Sequence, residues 1–370
     1  MNGFYKGLFL LALVCLLAIP LTLAVGHHGL TGVAVTLFFS FIALAVRGVN
    51  ALRGFSFTVW VFAAVSLAMF YPSLIREVNG FNTERLIVPL IQVIMFGMGT
   101  SMSLGDFAGV VKMPKGVLVG VICQFSIMPI VGVSIALLFG FAPEIAAGVV
   151  LIGSSPSGVA SNVMAYLARG NLALSITLTA VATLMAPIMT PFLMQTFAGQ
   201  FVPIDFYAMM VSIIKMVILP IAAGLLVNRL LRQRGKWLHR IMPVISMVGI
   251  VLIIAVITAS GRDHLLTIGL LLILAAILHN TAGYFFGYWG CRMLRMNKRD
   301  SRTIALEVGM QNGGMASGIA VELGRVSTMG LAPAVFGPWM NISGSFLANW
   351  WRDRPVEEEE KEEVQPETKK

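Results

Sequence analysis

The stretch Ala305-Leu306-Glu307-Val308-Gly309-Met310-Gln311-Asn312-Gly313-Gly314-Met315 decides how this chain is read. It sets one carboxylate, two amides and three glycines inside an apolar run near residues 301–324. An ionised carboxylate at membrane depth costs at least ~2.5–3.5 kcal/mol on insertion scales. It persists only where something compensates, and a bound cation does so directly. Gln311 is four residues beyond Glu307, so the two share a helical face. Gly309, Gly313 and Gly314 weaken the helix and let carbonyls turn inward. Hard cations such as sodium take carboxylate, amide, hydroxyl and carbonyl oxygens. On residues alone, a protonated packing role and proton carriage by Glu307 stay open.

The premise that this run lies in a membrane comes from composition. Apolar residues make up 57% of the 370 and charged residues 12%, against about 25% charged in soluble domains. So few charges cannot cover a water-facing surface, and the bilayer is the expected main solvent. The +9 net charge divides unevenly. The last fifteen residues, Val356–Lys370, hold seven Glu and three Lys, and the remainder is strongly basic. No basic groove with interleaved aromatics is legible, so nucleic acid is excluded as a partner. Cys15, Cys123 and Cys291 are far apart in apolar sequence and read as small packing residues.

Working outward, apolar runs mark twelve candidate spans near 7–25, 30–46, 55–71, 86–99, 116–140, 145–167, 171–194, 207–228, 241–259, 264–290, 301–324 and 330–350. Basic residues crowd every second loop: Arg47 and Arg53; Lys112 and Lys115; Arg169; Arg229, Arg232, Arg234, Lys236 and Arg240; Arg292, Arg295, Lys298, Arg299 and Arg302. Intervening loops are poorer, with Arg76, Arg85, Arg262 and Arg325 as exceptions. That bias orients both termini to the cytoplasm. The first run also has the look of a signal peptide; it is read here as an uncleaved span.

Without the first two spans, ten remain, five on either side of Ala198–Phe206. An odd number makes the second half enter from the opposite side, so homologous halves would form an inverted repeat. Spans 145–167 and 301–324 hold the fourth position of each half and are its most polar, Gly-rich members. Paired interrupted spans are the best sequence pointer to a transporter binding site. The first of them reads Gly153-Ser154-Ser155-Pro156-Ser157-Gly158-Val159-Ala160-Ser161-Asn162. Pro156 removes a backbone donor there, and Ser161 and Asn162 supply oxygens. Ser175 and Thr179 sit four apart on the next span, where such hydroxyls more often bond back to their own helix. Gln124 and the His279-Asn280 pair read as interhelical hydrogen-bonders, with a proton relay the alternative for His279-Asn280. Lys215 reads as a snorkelling residue. The tail Glu357–Lys370 is a charge run with the composition of a disordered segment.

Gly97-Met98-Gly99, Gly153 to Asn162, Tyr166-Leu167-Ala168-Arg169-Gly170-Asn171 and Glu307-Val308-Gly309-Met310-Gln311-Asn312, in this order and spacing, resemble the bile acid:sodium symporter family over roughly residues 54–350. The resemblance implies an all-α membrane protein: a ten-helix inverted repeat (5+5), its fourth and ninth helices broken and crossing. Residues 1–53 would be two additional N-terminal helices, and 351–370 a charged disordered tail. A panel would comprise about 54–99 and 205–259, and a core about 116–194 and 264–350, with the substrate cavity between them. Carried over, a first sodium site uses Ser161, Asn162, Ser175, Thr179 and Glu307. A second uses Gln124, Glu307, Gln311 and the carbonyls of Val308 and Met310. Asn312, Asn162, Val159 and Asn341 would face the substrate.

The expected function is sodium-coupled symport of a small organic anion, pantoate-like or bile-acid-like, by alternating access in a bacterial inner membrane. No cofactor and no nucleic acid are expected, sodium is the coupling ion, and the chain is expected as a monomer or weak dimer. Proton coupling through Glu307 is the alternative. An intramembrane enzyme would need an Asp pair, a zinc motif or a Ser-His pair at one depth, and none is legible. A sensor would not require oxygen ligands concentrated at two broken spans.

Overall fold

Backbone groups in hydrocarbon must satisfy one another, so apolar runs of this length fold as helices. The structure, a computed structural model, describes residues 2–231 and 236–354. Arg232, Arg234 and the tail beyond Arg354 lie outside the described residues. The helices are α1 Gly3–Ala24, α2 His28–Ala45, α3 Ser56–Phe70, α4 Ile87–Ser101, α5 Pro114–Leu138, α6 Pro143–Gly153 and α7 Ala160–Leu167. They continue as α8 Leu172–Leu193, α9 Phe206–Leu231, α10 Lys236–Ser260, α11 Arg262–Met293, α12 Lys298–Gly309, α13 Gly313–Glu322 and α14 Leu331–Arg352. A short antiparallel pairing of Glu77–Val78 with Phe81–Asn82 turns through Asn79 and Gly80.

Among the described residues, eight helices are long and apolar enough to cross a membrane, or nine if the bent pair Thr83–Ser101 and Gly105–Lys112 is one span. This is an integral membrane protein. Twelve spans were expected, and every expected stretch carries helix, but several are shorter than an uninterrupted crossing. The 15-residue α4 is one. The run expected at 145–167 is divided into α6 and α7, of 11 and 8 residues. That at 301–324 is divided into α12 and α13, of 12 and 10.

The chain divides into two compact units. The first comprises Met1–Ser101, Lys215–Leu272 and Gly314–Pro338. In it α1 packs on α2, α2 on α3, and α10 on both α3 and α4. A close backbone seam joins α4 to α9. A Cβ on Gly99 would stand 2.2 Å from the Ile221 carbonyl oxygen, and one on Gly224 2.2 Å from that of Phe96. Only glycine lets these two backbones touch.

The second unit comprises Met102–Ile214, Ile273–Gly313 and Trp339–Lys370. Here α5 packs against α6, α8 and α12, and α12 also meets α7 and α8. Val117, Met128, Leu174, Leu178, Ile304 and Val308 form much of its apolar centre, with Cys123 and Cys291 brought side by side among them. Arg302 corrects the loop assignment made from charge. It sits within α12, 6% exposed. Its guanidinium donates to the carbonyls of Ala168 at 3.3 Å, Trp351 at 3.2 Å and Arg354 at 2.7 Å. Arginine offers five donors, and loose ends of chain gathered around it suit that number.

Candidate functional site

Both helix breaks lie in the second unit, and each has a local cause. Residues Ser154–Val159 separate α6 from α7, where Pro156 lacks a donor and fixes its own φ. Residues Met310–Asn312 separate α12 from α13, between Gly309 and Gly313. Each break exposes backbone groups that a helix would have paired, and the two breaks satisfy one another. Gly158 N donates to Met310 O at 2.9 Å, and Asn312 N to Pro156 O at 2.8 Å. Ser157 and Gln311 thus form an antiparallel bridge. Two turns of unwound chain are held side by side with little loss of hydrogen bonding.

Beside this bridge lies Glu307, 2% exposed, in the last turn of α12. Its Oε1 accepts from Ser161 Oγ at 2.6 Å and Ser175 Oγ at 2.5 Å, and its Oε2 from Thr179 Oγ1 at 2.9 Å. Ser157 also stands near this carboxylate. Asn162 turns its Oδ1 to Ser175 Oγ at 2.8 Å and Thr179 Oγ1 at 3.1 Å. Ser161 Oγ approaches Gly158 O at 2.7 Å as well. The hydroxyls of Ser161, Ser175 and Thr179 therefore make six short contacts with oxygens. A hydroxyl carries one proton, so half of those contacts have none between the oxygens. The hydroxyls thus supply too few protons for the oxygens around them, a shortage that a hard cation or a proton on Glu307 relieves.

A second oxygen cluster adjoins it along the chain. Gln124 Nε2 on α5 donates to Ser155 O at 3.0 Å and to Gln311 Oε1 at 2.6 Å. Gln311 Nε2 donates to Val308 O at 2.5 Å. Gln124 Oε1 is buried and has no hydrogen-bond partner among the described residues. An orphaned acceptor of this kind costs about 1–3 kcal/mol, a cost that a cation beside it would remove. Val308, Met310 and Gln311 are all buried.

All nine residues expected from the resemblance as ion ligands thus gather in one unit, in two groups. Asn312 is buried next to the bridge, Val159 stands 43% exposed at the start of α7, and Asn341 is half-buried on α14. The direction of the Ser175 and Thr179 hydroxyls differs from the usual bond back to the own helix: both turn outward to Glu307. Lys215 is exposed within a π-turn of α9 at Ile214–Ile218. His279 Nε2 meets Met128 O at 3.3 Å, and Asn280 Nδ2 donates to Gly309 O at 2.6 Å. Ser157 and the Ser155 carbonyl were not singled out from sequence. The position of Ser157 beside Pro156 was the available signal.

A family model described as the Sodium Bile acid symporter family matches residues 88–268. An uncharacterized sodium-dependent transporter of Bacillus subtilis (strain 168) is 38% identical over 83% of this chain and 94% of its own length. A probable chloroplastic sodium/metabolite cotransporter of Arabidopsis thaliana is 33% identical over 80% of this chain and 73% of its own. One from Oryza sativa subsp. japonica is 31% identical over 83% and 75%. These relatives are named as transporters or cotransporters and not as enzymes. Identity sustained over most of both chains shows that this protein belongs to the sodium bile acid symporter family.

Proposed function

We propose that the protein is a sodium-coupled symporter of a small organic anion, working by alternating access. The observation that carries this reading is the buried Glu307 carboxylate among hydroxyls too few in protons for their contacts. In this reading Ser161, Asn162, Ser175, Thr179 and Glu307 hold one sodium ion. Gln124, Glu307, Gln311 and the Val308 and Met310 carbonyls hold a second. The orphaned Gln124 Oε1 supports that second site. Asn312, Asn162, Val159 and Asn341 contact the anion, a pantoate-like or bile-acid-like carboxylate. The names of the relatives, which include sodium and metabolite cotransport, agree with this class.

The ten helical stretches from α3 to α14 are two inverted five-span repeats, with α6/α7 and α12/α13 as the broken members and α1 and α2 as additions. The panel comprises about 54–99 and 205–259, and the core about 116–194 and 264–350. The membrane is the bacterial inner membrane, both termini are cytoplasmic, and the chain acts alone or as a weak dimer. Sodium ions hold the paired breaks in the form that takes substrate. The membrane potential drives their inward movement at ~2.3 kcal/mol per charge per 100 mV.

The test is uptake of radiolabelled carboxylates, pantoate and taurocholate among them, into proteoliposomes. An inward sodium gradient should drive accumulation, and Glu307→Ala should abolish it. Equal uptake with potassium replacing sodium at fixed pH would reject sodium coupling and leave proton coupling through Glu307 as the reading.

A further inference from the structure

The chain between Val308 and Gln311 has four successive carbonyls, and each is held by a different partner. Val308 O accepts from Gln311 Nε2, Met310 O from Gly158 N, and Gln311 O from Gly313 N. The fourth, Gly309 O, accepts from Asn280 Nδ2 at 2.6 Å. Asn280 is 1% exposed on α11 and belongs to neither oxygen cluster. Because a carbonyl can only accept, it forces the Asn280 amide to present its NH2, so Oδ1 must find a donor elsewhere. Ser343 Oγ on α14 donates to it, and Tyr284 OH lies 3.3 Å from that same hydroxyl. Tyr284 also packs against the break: a Cβ on Gly309 would meet its ring at 2.3 Å. The Gly309 peptide is therefore clamped by two residues one turn apart on α11.

We propose that Asn280, oriented by Ser343, is a positioning residue for the second sodium site. The Gly309 carbonyl lies between the Val308 and Met310 carbonyls along the chain. Fixing the direction of the middle peptide fixes where its two neighbours point, and hence the spacing of the oxygens that face the ion. Asn280 thereby sets both sodium affinity and the preference for sodium over the smaller lithium ion. This inference rests on the reading of Val308 and Met310 as sodium ligands.

The experiment is thermal unfolding of the purified full-length protein, titrated with sodium chloride or lithium chloride at constant ionic strength in choline chloride. Wild type should be stabilised by sodium, and Glu307→Gln should not. Asn280→Leu should move the sodium midpoint up about tenfold and alter the lithium-to-sodium midpoint ratio. Ser343→Ala, which keeps the amide and loses its anchor, should move it about threefold. An interaction that only packs the helices would lower the melting temperature without sodium and leave midpoints and ratio unmoved. A responsive wild type with wild-type midpoints in Asn280→Leu overturns the proposal. If Asn280→Leu does not fold, unchanged midpoints in Ser343→Ala overturn it instead. A wild type indifferent to sodium fails the sodium reading itself, a separate result.

Discussion

At the scale of single residues, the direction of a hydroxyl is the deciding variable. A serine or threonine inside a membrane helix satisfies itself cheaply by bonding to the carbonyl one turn back. Thr183 does so, donating to Thr179 O at 2.7 Å. Ser175 and Thr179 on the same helix do not; they point at Glu307 and Asn162. Each outward hydroxyl contributes on the order of 1 kcal/mol to whatever occupies the cluster. Ser175→Ala and Thr179→Val should each raise the sodium concentration for half-maximal uptake about fivefold, and Thr179→Ser should keep most of the wild-type response. Sodium titration of uptake checks this, and an unchanged half-maximal concentration in both variants would remove these hydroxyls from the site. Glu307 was legible from sequence because a lone carboxylate in an apolar run is conspicuous. The roles expected of Ser175 and Thr179 rested on the resemblance, since their pattern alone more often means back-bonding.

At the scale of elements, helix ends and seams follow from glycine and proline. The first break centres on Pro156 and the second lies between Gly309 and Gly313, as the composition of both stretches foretold. Less legible was that the breaks would pair through Gly158, Met310, Asn312 and Pro156, because nothing local encodes which broken strand meets which. The α4–α9 seam makes a separate prediction. Gly224→Leu forces a side chain into the Phe96 carbonyl, and overpacking of this kind costs about 1–3 kcal/mol or more. The variant should lose its monodisperse peak in size-exclusion chromatography or melt well below wild type. By contrast, Gly269→Ala meets nothing within 4 Å and should be neutral or slightly stabilising. Equal melting temperatures for Gly224→Leu and wild type would contradict the described seam.

For the whole molecule, ion binding and stability are linked. Sodium at about one hundred times its dissociation constant should stabilise the folded protein by ~2.7 kcal/mol per site. Melting temperature should therefore rise in sodium relative to potassium, and Glu307→Ala should erase the difference. A sodium-induced rise that survives in Glu307→Ala would place the ion elsewhere. Of the twelve apolar runs, eight described helices, or nine with the bent pair, have the length and composition of an uninterrupted crossing, and two of the other runs are the broken ones.

Membrane residence, the two interrupted runs and the carboxylate Glu307 within the second of them were determined by the sequence alone. Each depends on local composition: too few charges for water, Pro and Gly where helices stop, one acidic residue where none is cheap. The assembly of the site was decided by tertiary structure. Ser161, Ser175 and Thr179 reach Glu307 across 146, 132 and 128 residues, and Gln124 reaches Gln311 across 187. Asn280 reaches the Gly309 carbonyl across 29 residues. The physical reason is that a polar side chain in a helix can bond to its own backbone or to a neighbour, and only the packing of α5, α7, α8, α11 and α12 makes the neighbour available.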